Sequence, residues 1–253
     1  TSAVSAPGAS VFTVAGFDAI IGGPFTAVGI LTSDGSSLVT AGSEDINDAG
    51  NVPGENTSLT GSYTTLTGGR SVLTLTNFNN GVGGTMGTYE FAVYPSSGGL
   101  QILEIDNAGT TSGIAYPQTA TSIASAQGYG LNLTGANRNG GEDDIAEFVN
   151  NSGRLTGLID YNDAGTLTAD QMFSGTYTPG TTADGRGTIA SNAFNLVTYP
   201  VNSSTSVFVE VDSNQVGLGS FSQQNASAVA NAAARHLAVL RLATAPKRAS
   251  QRR

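Results

Sequence analysis

Apolar and polar residues alternate along this chain in short runs, each bounded by Gly, Asn, Asp or Pro. Period-two alternation between turn residues predicts short, half-buried β-strands. In the first half the runs are Val11–Ala15, Phe25–Leu31, Ser37–Ala41, Ser58–Leu66, Ser71–Thr76, Thr88–Tyr94, Leu100–Asp106 and Thr111–Tyr116. Eight runs in this spacing suit an up-and-down meander, closed into a small barrel or packed as a sandwich.

The pattern then returns. Asp45-Ile46-Asn47-Asp48-Ala49-Gly50 reappears as Asp160-Tyr161-Asn162-Asp163-Ala164-Gly165. Leu131–Gly135 matches Phe12–Gly16, Ser174–Tyr177 matches Thr60–Tyr63, and Gly185-Arg186 matches Gly69-Arg70. Further on, Tyr199-Pro200 matches Tyr94-Pro95, Val209–Asp212 matches Leu103–Asp106, and Gly219 and Gln224 match Gly113 and Gln118. The offset drifts between 105 and 119 residues, and each change falls in a Gly- or Asn-rich loop. Matched segments in one order, with indels confined to loops, indicate a tandem duplication. The predicted fold is all-β, two tandem antiparallel β-meander domains of eight strands each, followed by a C-terminal helix and basic arm. Residues 1–10 read as a polar leader, 11–120 and 121–224 as the two β-domains, and 225–253 as the tail. The alternation in Leu103-Glu104-Ile105-Asp106 predicts the apolar pair in the core and the acids in water, and likewise for Val209 to Asp212.

The tail breaks the pattern. Val229, Ala233, Leu237 and Leu240 recur at helical spacing in an Ala-rich segment that ends at Pro246.

Composition sharpens this reading. The 253 residues include 34 Gly, 39% hydrophobic residues and only 11% charged ones. That balance is not the high-charge, low-hydrophobicity composition of disorder. With no Cys there is neither a disulfide framework nor a Cys-based zinc site. No apolar run approaches the ~18 residues of a membrane helix. A start at Thr1 followed by small residues is the expectation for a mature N-terminus left by an export signal. The net charge of −9 conceals a polarity. Residues 1–224 carry all 19 acids against Arg70, Arg138, Arg154 and Arg186, a net of −15. Residues 225–253 carry six basic residues and no acid. An acidic body repels nucleic acid, which excludes it as a partner.

Taken in order, Gly16-Phe17-Asp18, the two Asp-x-Asn-Asp-Ala-Gly stretches, Gly61-Ser62-Tyr63 with Gly175-Thr176-Tyr177, the Gly-Arg pairs and the Glu-x-Asp pairs resemble a repeat of poorly characterised exported acidobacterial proteins. The resemblance covers roughly residues 10–224. It implies export and a duplicated β-rich domain, and it supplies no catalytic residues. The second copy departs from it where Gly16-Phe17-Asp18 becomes Gly135-Ala136-Asn137.

Candidate chemistry is sparse. Asp45, Asn47 and Asp48, with Asp160, Asn162 and Asp163, are the candidate calcium ligands. The twelfth position of an EF-hand, however, is Asn56 in one copy and Gln171 in the other, so the bidentate carboxylate is missing. An Asx-rich β-turn is the simpler account, leaving calcium as the sole cofactor candidate. Glu104 with Asp106 and Glu210 with Asp212 have the strand spacing of a glycosidase pair, about 7 Å. Charges guarding a strand, paired with Arg70 or Arg186, account for them better. His236 is the only histidine, so no His-based triad forms. Asn56, Asn132, Asn150, Asn202 and Asn225 begin glycosylation sequons.

The expectation is therefore a non-enzymatic, exported structural protein that self-assembles through its termini, as a filament or surface-layer subunit. Its expected subunit contacts are a donated strand carrying Val11, Phe12 and Val14, and the tail residues Arg235, Leu237, Leu240, Arg241, Lys247, Arg248, Arg252 and Arg253. The alternative is an extracellular binding module, holding a small apolar ligand in a barrel or a glycan on its surface.

Overall fold

Residues 7–79 and 86–224 are described by a computed structural model, and they form two closed eight-stranded barrels in tandem. The first contains β1 (Gly8–Asp18), β2 (Gly23–Ser33), β3 (Leu38–Asp48), β4 (Thr60–Thr65), β5 (Ser71–Asn79), β6 (Met86–Ser96), β7 (Gly99–Glu104) and β8 (Gly109–Pro117). The second contains β9 (Gln127–Asn137), β10 (Gly140–Asn151), β11 (Arg154–Asp163), β12 (Thr166–Pro179), β13 (Gly187–Ser191), β14 (Asn195–Asn202), β15 (Thr205–Glu210) and β16 (Gln215–Gln224). Each predicted run of the first repeat overlaps one of its eight strands. Neighbouring strands are antiparallel, and each barrel shuts where its first strand meets its last. At those seams the backbones approach too closely for a side chain. A Cβ on Gly113 would lie 1.7 Å from the Thr13 carbonyl oxygen, and one on Gly219 would lie 2.1 Å from that of Asn132. Glycine at both matched positions is what lets the sheets close.

The barrels are filled. In the first, Phe12, Phe25, Phe78, Tyr89 and Phe91 meet along the axis with Val14, Ile46, Leu73 and Leu75, and the Phe78 and Tyr89 rings are 4.9 Å apart. In the second, Phe148 contacts Tyr129, Phe173 and Phe221, and Phe208 stacks on Phe221. Two interior spaces of the first barrel measure about 10 Å³ each, at the lower limit for a single water.

A third apolar cluster lies outside both barrels and fuses them. Val11, Val28 and Ile30 of the first pack on Val197, Tyr199, Val201, Val207 and Val209 of the second, and all are buried. This corrects the donated-strand expectation. β1 is paired on both edges within its own barrel, Phe12 and Val14 fill that barrel, and Val11 is sealed between the barrels.

Two further expectations change. The repeated Asp-x-Asn-Asp stretch is the end of a strand rather than a turn, and only the following Ala-Gly, Ala49-Gly50 and Ala164-Gly165, turns at positive φ. The faces of Leu103 to Asp106 are inverted: Leu103 and Ile105 are exposed, whereas Glu104 is buried inside the barrel. In the second copy Val209 and Glu210 are both buried, one between the barrels and one within. Among the described residues no helix is long and apolar enough to cross a membrane. The predicted helical tail lies outside the described residues.

Candidate functional site

Alternation along β3 sends Glu44, Ile46 and Asp48 into the first barrel and turns Asp45 and Asn47 outward, towards the second. There Asp45 receives a two-pronged bond from Arg186, with both Nε and Nη2 at 2.7 Å. The Tyr199 hydroxyl donates to the same carboxylate at 2.8 Å. Glu55 stands 3.7 Å from the guanidinium. Paired donors in fork geometry make this the strong form of ion pair. Hydrogen bonding to Asp45 raises the Arg186 pKa, and burial, then the Asp45 charge, raises that of Tyr199.

Asn47 completes the clamp. Its amide nitrogen reaches the backbone carbonyls of Glu210, Asp212 and Gln215 at 2.7–3.1 Å, while its oxygen accepts from the Gly50 amide. Ser43 donates to Asp184 at 2.8 Å, and the Gln118 amide bonds the carbonyls of Asp184 and Pro200. The first copy of the motif is therefore a fastener between barrels. Its calcium reading is corrected: Asp45 is neutralised by Arg186, Asn47 is spent on carbonyls, and Asp48 faces the opposite side of the sheet.

In the second copy Asp160 and Asn162 face outward and Asp163 inward, so these three do not converge either. Asp160 accepts from the Asp170 amide, and Asp163 from the Asn137 side chain. Among the described residues no group of three or more His, Cys, Asp or Glu side chains is placed to hold a metal.

Carboxylates collect inside the barrels. Asp48 lies buried near Asp18, and burial, then the Asp18 charge, pushes it up to about 7. Glu44 is pushed to about 8 by burial, although the Asn56 side chain and the Asn79 amide both donate to it. In the second barrel burial, with Glu142 next, lifts Asp144 to about 7; burial, with Asp212 next, lifts Glu210 to about 9. No hydrogen bond reaches either oxygen of Glu210. Glu104 is raised chiefly by burial, though the Thr111 amide supports one of its oxygens.

The members of each glycosidase-like pair stay neighbours, and after burial Asp106 helps to raise Glu104 and Asp212 helps to raise Glu210, but the outer acid of each pair is engaged elsewhere. Strand β7 ends at Glu104, so Asp106 swings into the turn and caps the amides of Glu90 and Ala108. Asp212 likewise binds the backbone and side chain of Asn195. Neither acid of either pair bonds Arg70 or Arg186. Of the sequon residues, Asn132 is exposed and Asn202 half-buried. Asn56 and Asn150 are buried with their amides bonded to Glu44 and Ala124, which corrects their reading as glycan acceptors. Asn225 and the eight tail residues lie outside the described residues.

Among the described residues one wall of the second barrel is left uncovered. A shallow cleft of about 260 Å³ runs over β10, β11 and β12, lined by Ile145, Glu147, Leu158, Asp160 and Asp170 among others. Sequence reasoning missed this wall because nothing in a strand's alternation says whether its outer face is covered.

The chain matches no family model and no curated protein in sequence. Two solved structures align along most of it at 10% identity. One is kievitone hydratase from Nectria haematococca, covering 87% of this chain and 90% of that one with a TM-score of 0.26. The other is a protein described as AttH from Nitrosomonas europaea, covering 86% and 92% with a TM-score of 0.26. Neither likeness bears on the site.

Proposed function

We propose that this chain is a non-enzymatic, exported structural protein that works through its outer barrel walls and self-assembles. The observation that carries the reading is the filled interior. A barrel that cages a small apolar ligand needs a cavity of several hundred Å³, the two interior spaces of the first barrel are about 10 Å³ each, and packed aromatic rings occupy the core of the second. The buried carboxylates of both barrels add to this, since an apolar ligand would have to displace aromatic side chains and then lie against Asp48 or Glu210. What is exposed instead is sheet wall. The chain already packs one such wall against a barrel of its own, which favours barrel-on-barrel contact as the mode of recognition.

Light scattering and electron microscopy of the full 253-residue chain over a rising concentration series test the reading. The expected result is a mass that climbs above the monomer, with ordered oligomers visible. A chain that stays monomeric throughout, at low salt as well as high, overturns it. Stoichiometric uptake of a fatty acid or a fluorescent apolar probe would overturn the choice of wall over cavity.

A further inference from the structure

Strand pairing equates the barrels residue by residue. Val28 pairs with Asp45 between β2 and β3, as Ile145 pairs with Asp160 between β10 and β11. Ala92 pairs with Leu103 between β6 and β7, as Val197 pairs with Val209 between β14 and β15. Arg70 and Arg186 each follow a glycine at positive φ. Each barrel therefore owns two docking walls. One, on β2–β3 or β10–β11, presents Asp-x-Asn beside an apolar residue. The other, on β6–β8 or β14–β16, presents a Tyr, an aliphatic residue and a neighbouring Arg.

Within the chain, the Asp wall of the first barrel meets the Arg wall of the second. Among the described residues the remaining two walls meet no partner. On the second barrel Ile145, the counterpart of buried Val28, is 55% exposed beside Asp160 and Asn162. On the first barrel Tyr94 and Leu103, counterparts of buried Tyr199 and Val209, are 48% and 49% exposed beside Arg70. Even the turn agrees. A Cβ on Gly50 would strike the Ser213 carbonyl of the docked barrel at 2.3 Å, whereas its counterpart Gly165 has nothing within 4 Å.

We propose that these two open walls bind each other between copies of the chain, repeating the internal clamp with Asp160, Asn162 and Ile145 of one copy against Arg70, Tyr94 and Leu103 of the next. The proposal rests on the self-assembly reading and names its contact. The charges are complementary, and the backbone carbonyls that Asn47 binds at 210, 212 and 215 have counterparts at 104, 106 and 109, whatever side chains those positions bear. The contact is heterologous, joining different walls of successive copies, so it adds copies head to tail rather than pairing two copies through one shared surface. It is also leaner than the internal contact. Val197, Val207 and Leu218 are replaced by Ala92, Gln101 and Ser112, and Ser43, which bonds Asp184 in the internal clamp, is replaced by Leu158. Assembly is therefore reversible and concentration-dependent, while the barrels within a chain stay joined.

Sedimentation of the full chain decides the matter, using Ile145→Lys and Tyr94→Lys, both at exposed positions and each checked for unchanged thermal unfolding. The wild type is expected to grow without a plateau at the dimer. Each variant alone should be monomeric at concentrations where the wild type grows. An equimolar mixture of the two should form dimers and nothing larger, because one intact Asp wall and one intact Arg wall meet and both outer ends are dead. A wild type that assembles while both variants assemble equally well overturns this contact and leaves self-assembly standing. A wild type that plateaus at a dimer, or a mixture that stays monomeric, overturns the head-to-tail arrangement. A monomeric wild type overturns both readings.

Discussion

In the first barrel Asp45 and Asn47 lie sealed beneath the second barrel; in the second barrel Asp160 and Asn162 occupy the same register on a wall that no described residue covers. The local sequence is nearly identical, and so is the strand that carries it. Burial, and with it energetic importance, comes from the partner. Asp45 is 2% exposed and holds Arg186 and Tyr199; Asp160 bonds one backbone amide. A motif's meaning in a duplicated protein is set by which copy meets another barrel.

The largest effect expected from that difference is at Asp45. Replacing it with Ala removes both fork bonds of Arg186 and the acceptor of the Tyr199 hydroxyl, leaving the guanidinium only Glu55 at 3.7 Å, and breaking such a buried pair costs about 3–5 kcal/mol. Asp160→Ala should change stability by no more than ~0.5 kcal/mol, as at an ordinary surface position. Calorimetry checks both, and it should also show the Asp45→Ala unfolding transition separating into two as the barrels uncouple. Equal losses at the two positions would break the comparison.

Next in size is the pH response of the interiors. An acid whose folded pKa is raised keeps its proton longer in the native state. The stability it lends is full below the unfolded value near 4 and is lost as pH climbs through the folded value. With Asp48 and Asp144 near 7, Glu44 near 8 and Glu210 near 9, stability should fall steadily from about pH 4 towards pH 9. Each titrating group removes up to ~1.4 kcal/mol per pH unit. The barrels differ here too. Glu210 has no donor on either oxygen, whereas Thr111 supports Glu104. Glu210→Gln should therefore stabilise by about 1–3 kcal/mol at pH 8 and by little at pH 4, with a smaller gain for Glu104→Gln. Urea unfolding at the two pH values reads the difference, and a Glu210→Gln gain that is the same at both would sink the explanation.

The strands, their number and the duplication were all written in alternation and turn residues, which act over a few residues of chain. The faces were not. Leu-Glu-Ile-Asp alternates equally well either way up, and the apolar-inward rule failed at Leu103 because a barrel end tolerates a buried Glu104 while an outer wall carries exposed aliphatics. Asp45 and Arg186 are 141 residues apart, so no local pattern joins them. One signal was present nonetheless. In a body with 19 acids and four arginines, an Arg placed after a turn glycine in both repeats has a carboxylate to meet.

The smallest effect separates the two copies most cleanly, because Asn carries no charge. Asn47→Ala removes two amide hydrogens shared among three carbonyls and the oxygen that accepts from the Gly50 amide. Some of those groups gain water when the side chain is removed, so the expected cost is about 1–2 kcal/mol rather than a full penalty for each. Asn162 is exposed in the single chain, and its loss should move stability by less than ~0.5 kcal/mol. Its effect should appear elsewhere. If the open wall repeats the internal clamp, Asn162→Ala leaves the unfolding curve of dilute protein unchanged and raises the concentration at which the chain begins to assemble, about tenfold for ~1.4 kcal/mol of lost contact. A variant that shifts unfolding but not assembly would place Asn162 in the fold of its own barrel and remove it from the contact.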